Sequence, residues 1–366
     1  MRLTAVILAA GYSSRMEGFK PLMELGGRSL LALCADLFRG AAAEPVVVSG
    51  HRGEEVEAEA ARLGLATVRN PHFDRGMYSS VRAALSLLAR IDGFFLMPVD
   101  IPLVRPSTVR ALAAAFDGES VLFPSFDGQR GHPPLIPARL VADILAYDGA
   151  GGLKVLLEQQ PNRDVPVWDR GILLDADTPE DFARLAQRFE RLSIGEPEEA
   201  LALARLAMPE KGVAHGLAVS LVAEALGREL NRHGYLLDLD LLRNAALLHD
   251  IAKGQLQHEA RGAELLTELG LEGLSESVAA HRDAVPPASG LLTEKEVVCL
   301  ADKLVRGRFR VSVRRRFTEK LEQYSEDSEA CRAIRDRLAK ALTLESLMQK
   351  AAGRSVAEIL DDVELG

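Results

Sequence analysis

Short apolar runs alternate with longer amphipathic stretches from the N-terminus to about residue 190. Runs of four to eight apolar residues bounded by turn-forming residues read as buried strands, and the stretches of 3.6-residue period between them as covering helices. The pattern predicts strands over Leu3–Leu8, Val46–Ser49, Ala66–Val68, Gly93–Met97, Val121–Phe123, Val165–Val167 and Ile172–Leu174. It predicts helices over Ser29–Phe38, Glu54–Leu63, Ser80–Ala89, Ser107–Phe116, Arg139–Ala146 and Pro179–Phe189, the last with Thr178 as N-cap and acidic Glu180 and Asp181 in its first turn. Strands separated by helices imply a doubly wound, Rossmann-like α/β layer with a mostly parallel sheet.

The alternation stops after Phe189, and the polar segment Ser193-Ile194-Gly195-Glu196-Pro197-Glu198-Glu199 reads as a turn-prone boundary. Beyond it every periodic segment reads as helix. Val213, Leu217, Leu221, Leu226 and Leu230 mark one face of a helix carrying His215; Leu241 to Ile251 form another, Glu259–Leu269 a third, and Thr293-Glu294-Lys295-Glu296 opens a fourth as a capping box. The expected division is residues 1–192 as the α/β domain, 193–207 as linker, 208–322 as an all-α domain and 323–366 as a helical tail.

Composition narrows the setting. With 48% hydrophobic and only 5% aromatic residues the core is aliphatic, and a net charge of −9 argues against a general nucleic-acid binder. The three cysteines, Cys34, Cys299 and Cys331, are scattered and form no CxxC pair, which suits a reducing cytoplasm. No apolar run approaches the ~18 residues of a membrane span, and no basic-then-apolar leader opens the chain. A cytoplasmic protein without membrane or nucleic-acid partners is expected.

Chemistry concentrates where predicted strands end, the place ligands occupy in such sheets. After the first strand, Leu8-Ala9-Ala10-Gly11-Tyr12-Ser13-Ser14-Arg15 forms a small-residue loop, and Lys20 follows. Gly11 permits close approach of the main chain to an anion, and Arg15 and Lys20 bring two cations. The loop is neither a Walker loop nor a dinucleotide fingerprint, since both glycine patterns are missing. Asp100 follows the Phe94–Met97 run, and Asp175 and Asp177 follow Ile172–Leu174. Carboxylates from two strand ends can hold Mg²⁺, a hard cation that keeps oxygen ligands and substrate phosphates. Met77-Tyr78-Ser79-Ser80 presents hydroxyls and free amides at a helix start, favourable for phosphate.

These stretches resemble the signature L-A-A-G-x-S-x-R-M-G-x-x-K of the molybdenum cofactor cytidylyltransferases, with Glu17 standing where that family has Gly. D-x-P-L, G-M-x-x-S and D-x-D-T-P-x-D of that family also have counterparts, as does G-x-x-G-H-P at Gly128–Pro133, while Lys154 stands where its Arg is expected. The resemblance implies CMP transfer from CTP to the phosphate of molybdopterin with release of pyrophosphate. Arg15, Lys20 and Asp100 would be catalytic, and Leu8, Ala9, Ala10, Gly11, Ser13, Ser79, Ser80, His132 and Lys154 would bind substrates. Asp100, Asp175 and Asp177 would hold Mg²⁺, Ala10 would favour CTP over GTP, and a molybdenum hydroxylase apoenzyme would be a further partner.

In the helical half, His215, the doublet His249-Asp250 and Asp302 lie on three predicted helices, with His258 and His281 between. Burying an adjacent His and Asp costs several kcal/mol unless they are paired or metal-bound. The order H…HD…H…H…D resembles the HD phosphohydrolase superfamily over His215 to Asp302. It implies an all-α HD domain binding a transition metal such as Mn²⁺, Fe²⁺, Co²⁺, Ni²⁺ or Zn²⁺ through those six residues, and hence a bifunctional enzyme. Two rival readings stand beside it: a sugar or alcohol phosphate as acceptor, and a helical half that only docks or senses.

Overall fold

The computed structural model describes residues 1–39, 43–88 and 90–365, which excludes the expected helix end at Ala89. It falls into two compact units, Met1–Glu190 and Arg191–Gly366.

The strands of the first unit are, in chain order, β1 (Leu3–Leu8), β2 (Glu24–Leu25), β3 (Arg28–Ser29), β4 (Ala43–Ser49), β5 (Ala66–Arg69), β6 (Gly93–Pro98), β7 (Val121–Phe126), β8 (Gln129–Arg130), β9 (Leu135–Pro137) and β10 (Asn162–Pro166). Its helices are α1 (Leu30–Arg39), α2 (Gly53–Arg62), α3 (Met77–Leu85), α4 (Pro106–Ala115), α5 (Val141–Ala146), α6 (Gly152–Glu158) and α7 (Pro179–Phe189). The main sheet runs β10-β7-β9-β6-β1-β4-β5, with β8 on β7 and β2–β3 a separate hairpin. Pairing is parallel except at β9, antiparallel to both neighbours, and at β8. Every residue of β1 and β6 is buried, as central strands covered on both faces require. β1 registers Leu8 against both Val48 and Pro98, so the loops after these strands open side by side.

Three expectations need correction here. Ile172–Leu174 is not a strand: Arg170–Leu173 turns as a 3₁₀ helix because the Asp169 carboxylate accepts from the Gly171 N–H and closes the chain on itself. The expected helix Arg139–Ala146 begins instead with a 3₁₀ turn at Ala138–Leu140. The antiparallel strand β9 and helix α6 were not expected at all. By contrast α7 has the expected cap, Thr178 and Asp181 forming a reciprocal capping box with Pro179 at the first turn.

The second unit is helical: α8 (Pro197–Ala207), α9 (Glu210–Arg232), α10 (Leu239–Leu248), α11 (His258–Glu268), α12 (Ser275–Ala280), α13 (Glu294–Lys303), α14 (Val313–Gln323), α15 (Ser328–Ala352) and α16 (Val356–Leu360). A small hairpin of β11 (Val305–Arg306) and β12 (Phe309–Arg310) joins α13 to α14. The stretch 193–207 expected as a linker contains α8, which packs on α10. Its Glu196-Pro197-Glu198-Glu199 is a helix start, with Glu196 and Glu199 boxed and Pro197 at the first turn, rather than a run of turn residues. The capping box at Thr293 and Glu296 opens α13 as expected. On α9 the expected face holds at Leu226 and Leu230, which are buried, but fails at Leu217 and Leu221, which are 41% and 42% exposed; Gly216, Val219 and Ala223 are buried in their place. Small residues rather than the largest apolar ones make this contact. A methyl on Gly216 would lie 2.3 Å from the Leu247 carbonyl oxygen, so α9 and α10 approach backbone to side-chain-free backbone.

Candidate functional sites

In the first unit the loop after β1 curls over the carboxyl end of the sheet. Ser13 takes a left-handed conformation (φ 56°), and its hydroxyl accepts from the Lys20 backbone N–H at 3.0 Å, folding the loop back on itself. This brings the Lys20 ammonium between two carboxylates, 3.0 Å from Asp100 Oδ2 and 2.7 Å from Asp177 Oδ1. Arg15 donates to the other oxygen of Asp177 at 2.8 Å. Burial alone would lower the Lys20 pKa, but the bonds to Asp177 and Asp100 raise it; the Lys20 bond in turn lowers that of Asp177.

A cavity of about 310 Å³ opens above this cluster, walled by Leu8, Ala10, Gly11, Ser13, Arg15, Lys20, Ser80, Asp100 and Asp177 among others. Tyr12, Phe73 and Met77 also wall it; Tyr12 and Met77 lie in stretches singled out from the sequence, but none of the three was expected to touch a substrate. Tyr12 and Phe73 belong to a ring cluster around His51, with centroids 5.4 Å apart. Ala9 is buried just behind the loop. Ser79 and Ser80 hydroxyls are taken up locally, both accepting from Asn70 Nδ2, at 2.8 and 3.0 Å. Asp175 stands outside the cavity walls and is exposed, its pKa raised by partial burial and then by the charges of Asp177 and Asp100. The Ala176 N–H donates to the Asp100 carbonyl at 2.8 Å, which brings the segment beside Asp100 and sets Asp177 on Lys20. The carboxylates that share a cation are thus Asp100 and Asp177. A lysine ammonium seated between them shows that the donor set accepts a cation, and all-oxygen ligands suit Mg²⁺.

His132 and Lys154 are elsewhere, in a second cavity of about 660 Å³ that shares Met77 with the first. Its walls are apolar at Tyr78, Val81, Leu96 and Phe123, with Arg75, Arg130 and Lys154 around them. His132 Nδ1 is buried without a hydrogen-bond partner, and burial lowers the pKa of the ring.

In the second unit five helices deliver one cluster. His215 comes from α9, His249 and Asp250 from the end of α10, His281 from the end of α12 and Asp302 from α13, with His258 at the start of α11. His215 Nε2 lies 3.3 Å and His249 Nε2 3.7 Å from Asp302 Oδ1; His258 Nε2 and His281 Nε2 lie 3.5 and 3.8 Å from Asp250 Oδ1. The opposite ring nitrogens face backbone carbonyls: His249 Nδ1 to Ala246 O at 2.6 Å, His281 Nδ1 to Val278 O at 2.6 Å and His215 Nδ1 to Gly307 O at 3.0 Å. A carbonyl accepts, so each Nδ1 carries the proton and each Nε2 turns a lone pair inward. His249 Nε2 is buried with no hydrogen-bond partner. Two overlapping ligand sets result, His215–His249–Asp302 and His249–Asp250–His281. Inward lone pairs beside carboxylates are stable together around a cation, so these residues fit a metal. Without one, burial would lower the His249 pKa but Asp250 and Asp302 raise it, while burial and the His249 charge push His281 down to about 4. Lys303 bonds Asp302 Oδ2 at 2.7 Å and Arg316 reaches Oδ1 at 3.2 Å.

A family model described as the MobA-like NTP transferase domain matches residues 5–165, and one for the HD domain matches residues 212–307. The molybdenum cofactor cytidylyltransferase of Escherichia coli (strain K12) is 25% identical over 191 residues, 52% of this chain and 98% of that protein. The molybdenum cofactor guanylyltransferase of Xanthomonas euvesicatoria pv. vesicatoria (strain 85-10) is 35% identical over 194 residues, 50% of this chain and 93% of that protein. The chain spans only 27% of the length of the bifunctional GlmU protein of Polaromonas sp. that it also matches. Among solved structures, a nucleotidyl transferase from Methanothermobacter thermautotroptrophicus is 24% identical, covering 52% of this chain and 98% of its own, with a TM-score of 0.47.

Proposed function

The chain belongs to the MobA-like NTP transferase family, with an HD domain following in sequence, and from that premise we propose that it moves CMP from CTP onto the phosphate of molybdopterin and hydrolyses a phosphate compound in its helical unit. The seat of Lys20 between Asp100 and Asp177, with Arg15 beside it, carries the first half of this reading. Arg15 and Lys20 face the cavity where a triphosphate would lie, and loop amides from Ala10 to Ser13 offer it donors. An oxygen of the acceptor phosphate bonds to the α-phosphorus as the α–β bridge breaks, and pyrophosphate leaves with its charge met by the two cations. Asp100 and Asp177 would hold Mg²⁺, with Asp175 close enough to feel their charge; the ion when bound neutralises the phosphate oxygens. The second cavity, apolar with Arg130 and Lys154 at its margin, suits a flat, anionic acceptor.

CTP rather than GTP is what the resemblance to the cytidylyltransferases implies, carried in the loop by Ala10. The cytidylyltransferase relative supports this choice and the guanylyltransferase relative opposes it. The discriminating measurement is pyrophosphate release with Mg²⁺ and molybdopterin, CTP against GTP. Faster turnover of CTP is expected; equal or faster turnover of GTP overturns the base assignment. Comparable rates with a sugar or alcohol phosphate in place of molybdopterin overturn the acceptor.

For the helical unit, the buried and unpartnered His249 Nε2 carries the reading. The six residues would hold a transition metal, whose role when bound is to activate water and polarise a phosphoryl oxygen. Lys303 and Arg316 fix the Asp302 carboxylate, and Asp250 orients between His249, His258 and Lys253.

A further inference from the structure

Next to the histidine–aspartate cluster lies a cleft of about 190 Å³ whose walls carry six lysines and arginines against two carboxylates, Asp250 and Asp302. Four of the six are held by acids or backbone. Lys303 and Arg316 bind Asp302, while Arg282 and Arg337 are drawn outward to Glu259 and Asp283. Lys253 pairs with Asp250, with 65% of its side chain exposed to solvent. Lys320 makes no side-chain hydrogen bond or ion pair among the described residues, and its ammonium lies 5.9 Å from the Phe317 ring centroid. It stands one helical turn beyond Arg316 on α14, on the same face. One side of Lys320 reaches solvent, yet crowding of its ammonium end and the charges of Arg316 and Lys303 lower its pKa. A cation left unpaired among cations marks a place where an anion is wanted.

The cleft does not end there. It continues into a groove of about 490 Å³, and His215, Lys253, Arg316 and Lys320 wall both. Lys320 and Lys253 therefore sit where a second charged group would lie when a first occupies the cluster. The α14 residues Arg316 and Lys320 lie beyond the stretch 212–307 matched by the HD model. Phe317, the one phenylalanine, tyrosine or tryptophan among the described lining residues, is 2% exposed and offers no face on which a nucleobase could stack.

We propose that Lys320, with Arg316 and Lys253, forms a second phosphoryl subsite, and that the helical unit takes inorganic pyrophosphate, one phosphoryl at the histidine–aspartate cluster and the other on these cations. This rests on the phosphohydrolase reading above. A water oxygen bonds to the phosphorus at the cluster and the bridging P–O bond breaks. The bridging oxygen leaves with the second phosphoryl, and two orthophosphates form, each with one of water's protons. The cations meet the charge that grows on the leaving phosphate. Nucleotidyl transfer releases this substrate, so the class of reaction proposed for the first unit is the one that would supply it.

Binding to the full-length chain tests the assignment without reliance on turnover. Calorimetric titrations with imidodiphosphate, which resists hydrolysis, and with orthophosphate would be run on parent, Lys320→Ala and Lys320→Arg proteins. All would carry Lys20→Ala to weaken the first unit's phosphate site equally. Lys320→Ala should weaken imidodiphosphate at least about tenfold and orthophosphate less than about twofold, with Lys320→Arg restoring most of the loss. An equal loss for both anions, or no loss for either, overturns the proposal. Metal content and release of phosphate from p-nitrophenyl phosphate, with His249→Ala as control, separate this failure from that of the underlying reading. If His249→Ala keeps its metal and that activity, the phosphohydrolase reading itself falls. If it loses both while Lys320→Ala fails to tell the two anions apart, only the pyrophosphate assignment falls.

Discussion

A lysine held 12% exposed between two carboxylates can be worth a great deal in a transition state and little in stability. The ground-state pair is wet on one side, where ion pairs contribute about 0–1 kcal/mol. Contact with a leaving pyrophosphate, preorganised by the Ser13 bond, belongs to a class typically worth ~3 kcal/mol. Lys20→Ala should therefore slow pyrophosphate release from CTP roughly a hundredfold, with a small change in melting temperature. A loss under about threefold would place Lys20 outside the reaction. Asp175 gives the opposite kind of residue. Its folded pKa lies above the ordinary aspartate value, so the folded chain holds this proton to higher pH than the unfolded chain. Stability consequently falls as pH rises through the unfolded and then the folded value, and the cost persists at neutral pH. Asp175→Asn should raise the melting temperature measured at pH 7 in a chelator. An unchanged or lower value there would show that the carboxylate cluster is not under mutual repulsion.

At the scale of elements, the second cluster depends on where helices stop. α10 and α12 end at His249 and His281, and each ring returns a proton to the carbonyl three residues back, satisfying an open helix end while aiming the other nitrogen inward. α9 supplies His215 next to the glycine that lets it touch α10. Gly216→Ala should push the two helices apart at Leu247, costing about 1–3 kcal/mol as overpacking does and lowering metal content measured by mass spectrometry. Full metal loading with an unchanged melting temperature would mean the helices can shift freely. The helix–strand alternation and the His249-Asp250 doublet were legible because both follow local rules, a period and a dipeptide whose burial is expensive. The first half of the α9 contact face was not, because counting leucines favours Leu217 and Leu221 while the helix packs there through Gly216 and Ala223. Nor could the sequence tell which of Asp175 and Asp177 meets Lys20, since that depends on a 3₁₀ turn and one long-range bond from Ala176. Lys320 had a signal that went unread, its four-residue spacing from Arg316 on an otherwise charged helix.

For the molecule as a whole, two compact units hold two donor sets of different softness, oxygen only in the first and imidazole-rich in the second. Oxygen sets favour magnesium, and imidazoles favour the first-row transition metals. His249→Ala in the full chain should strip transition metal while leaving pyrophosphate release from CTP within about twofold. This magnitude reflects the near-independence of sites that share no residues. A transfer rate that falls with the metal would show that the first unit requires the second.

The seat of Lys20 also bears on how the first unit fills. Its ammonium occupies the space between Asp100 and Asp177 that a divalent ion would need, and the same ammonium is a candidate partner for the triphosphate. An ion held by Asp100 and Asp177 would release the lysine toward the nucleotide, and a nucleotide holding the lysine would vacate the carboxylates. Ion and nucleotide are then thermodynamically linked, each tightening the other by one common factor. Nucleotide titrations across a series of free Mg²⁺ concentrations should show that factor after correction for the metal–nucleotide complex. With alanine at position 20 the exchangeable counter-ion is gone, and the cooperativity should go with it.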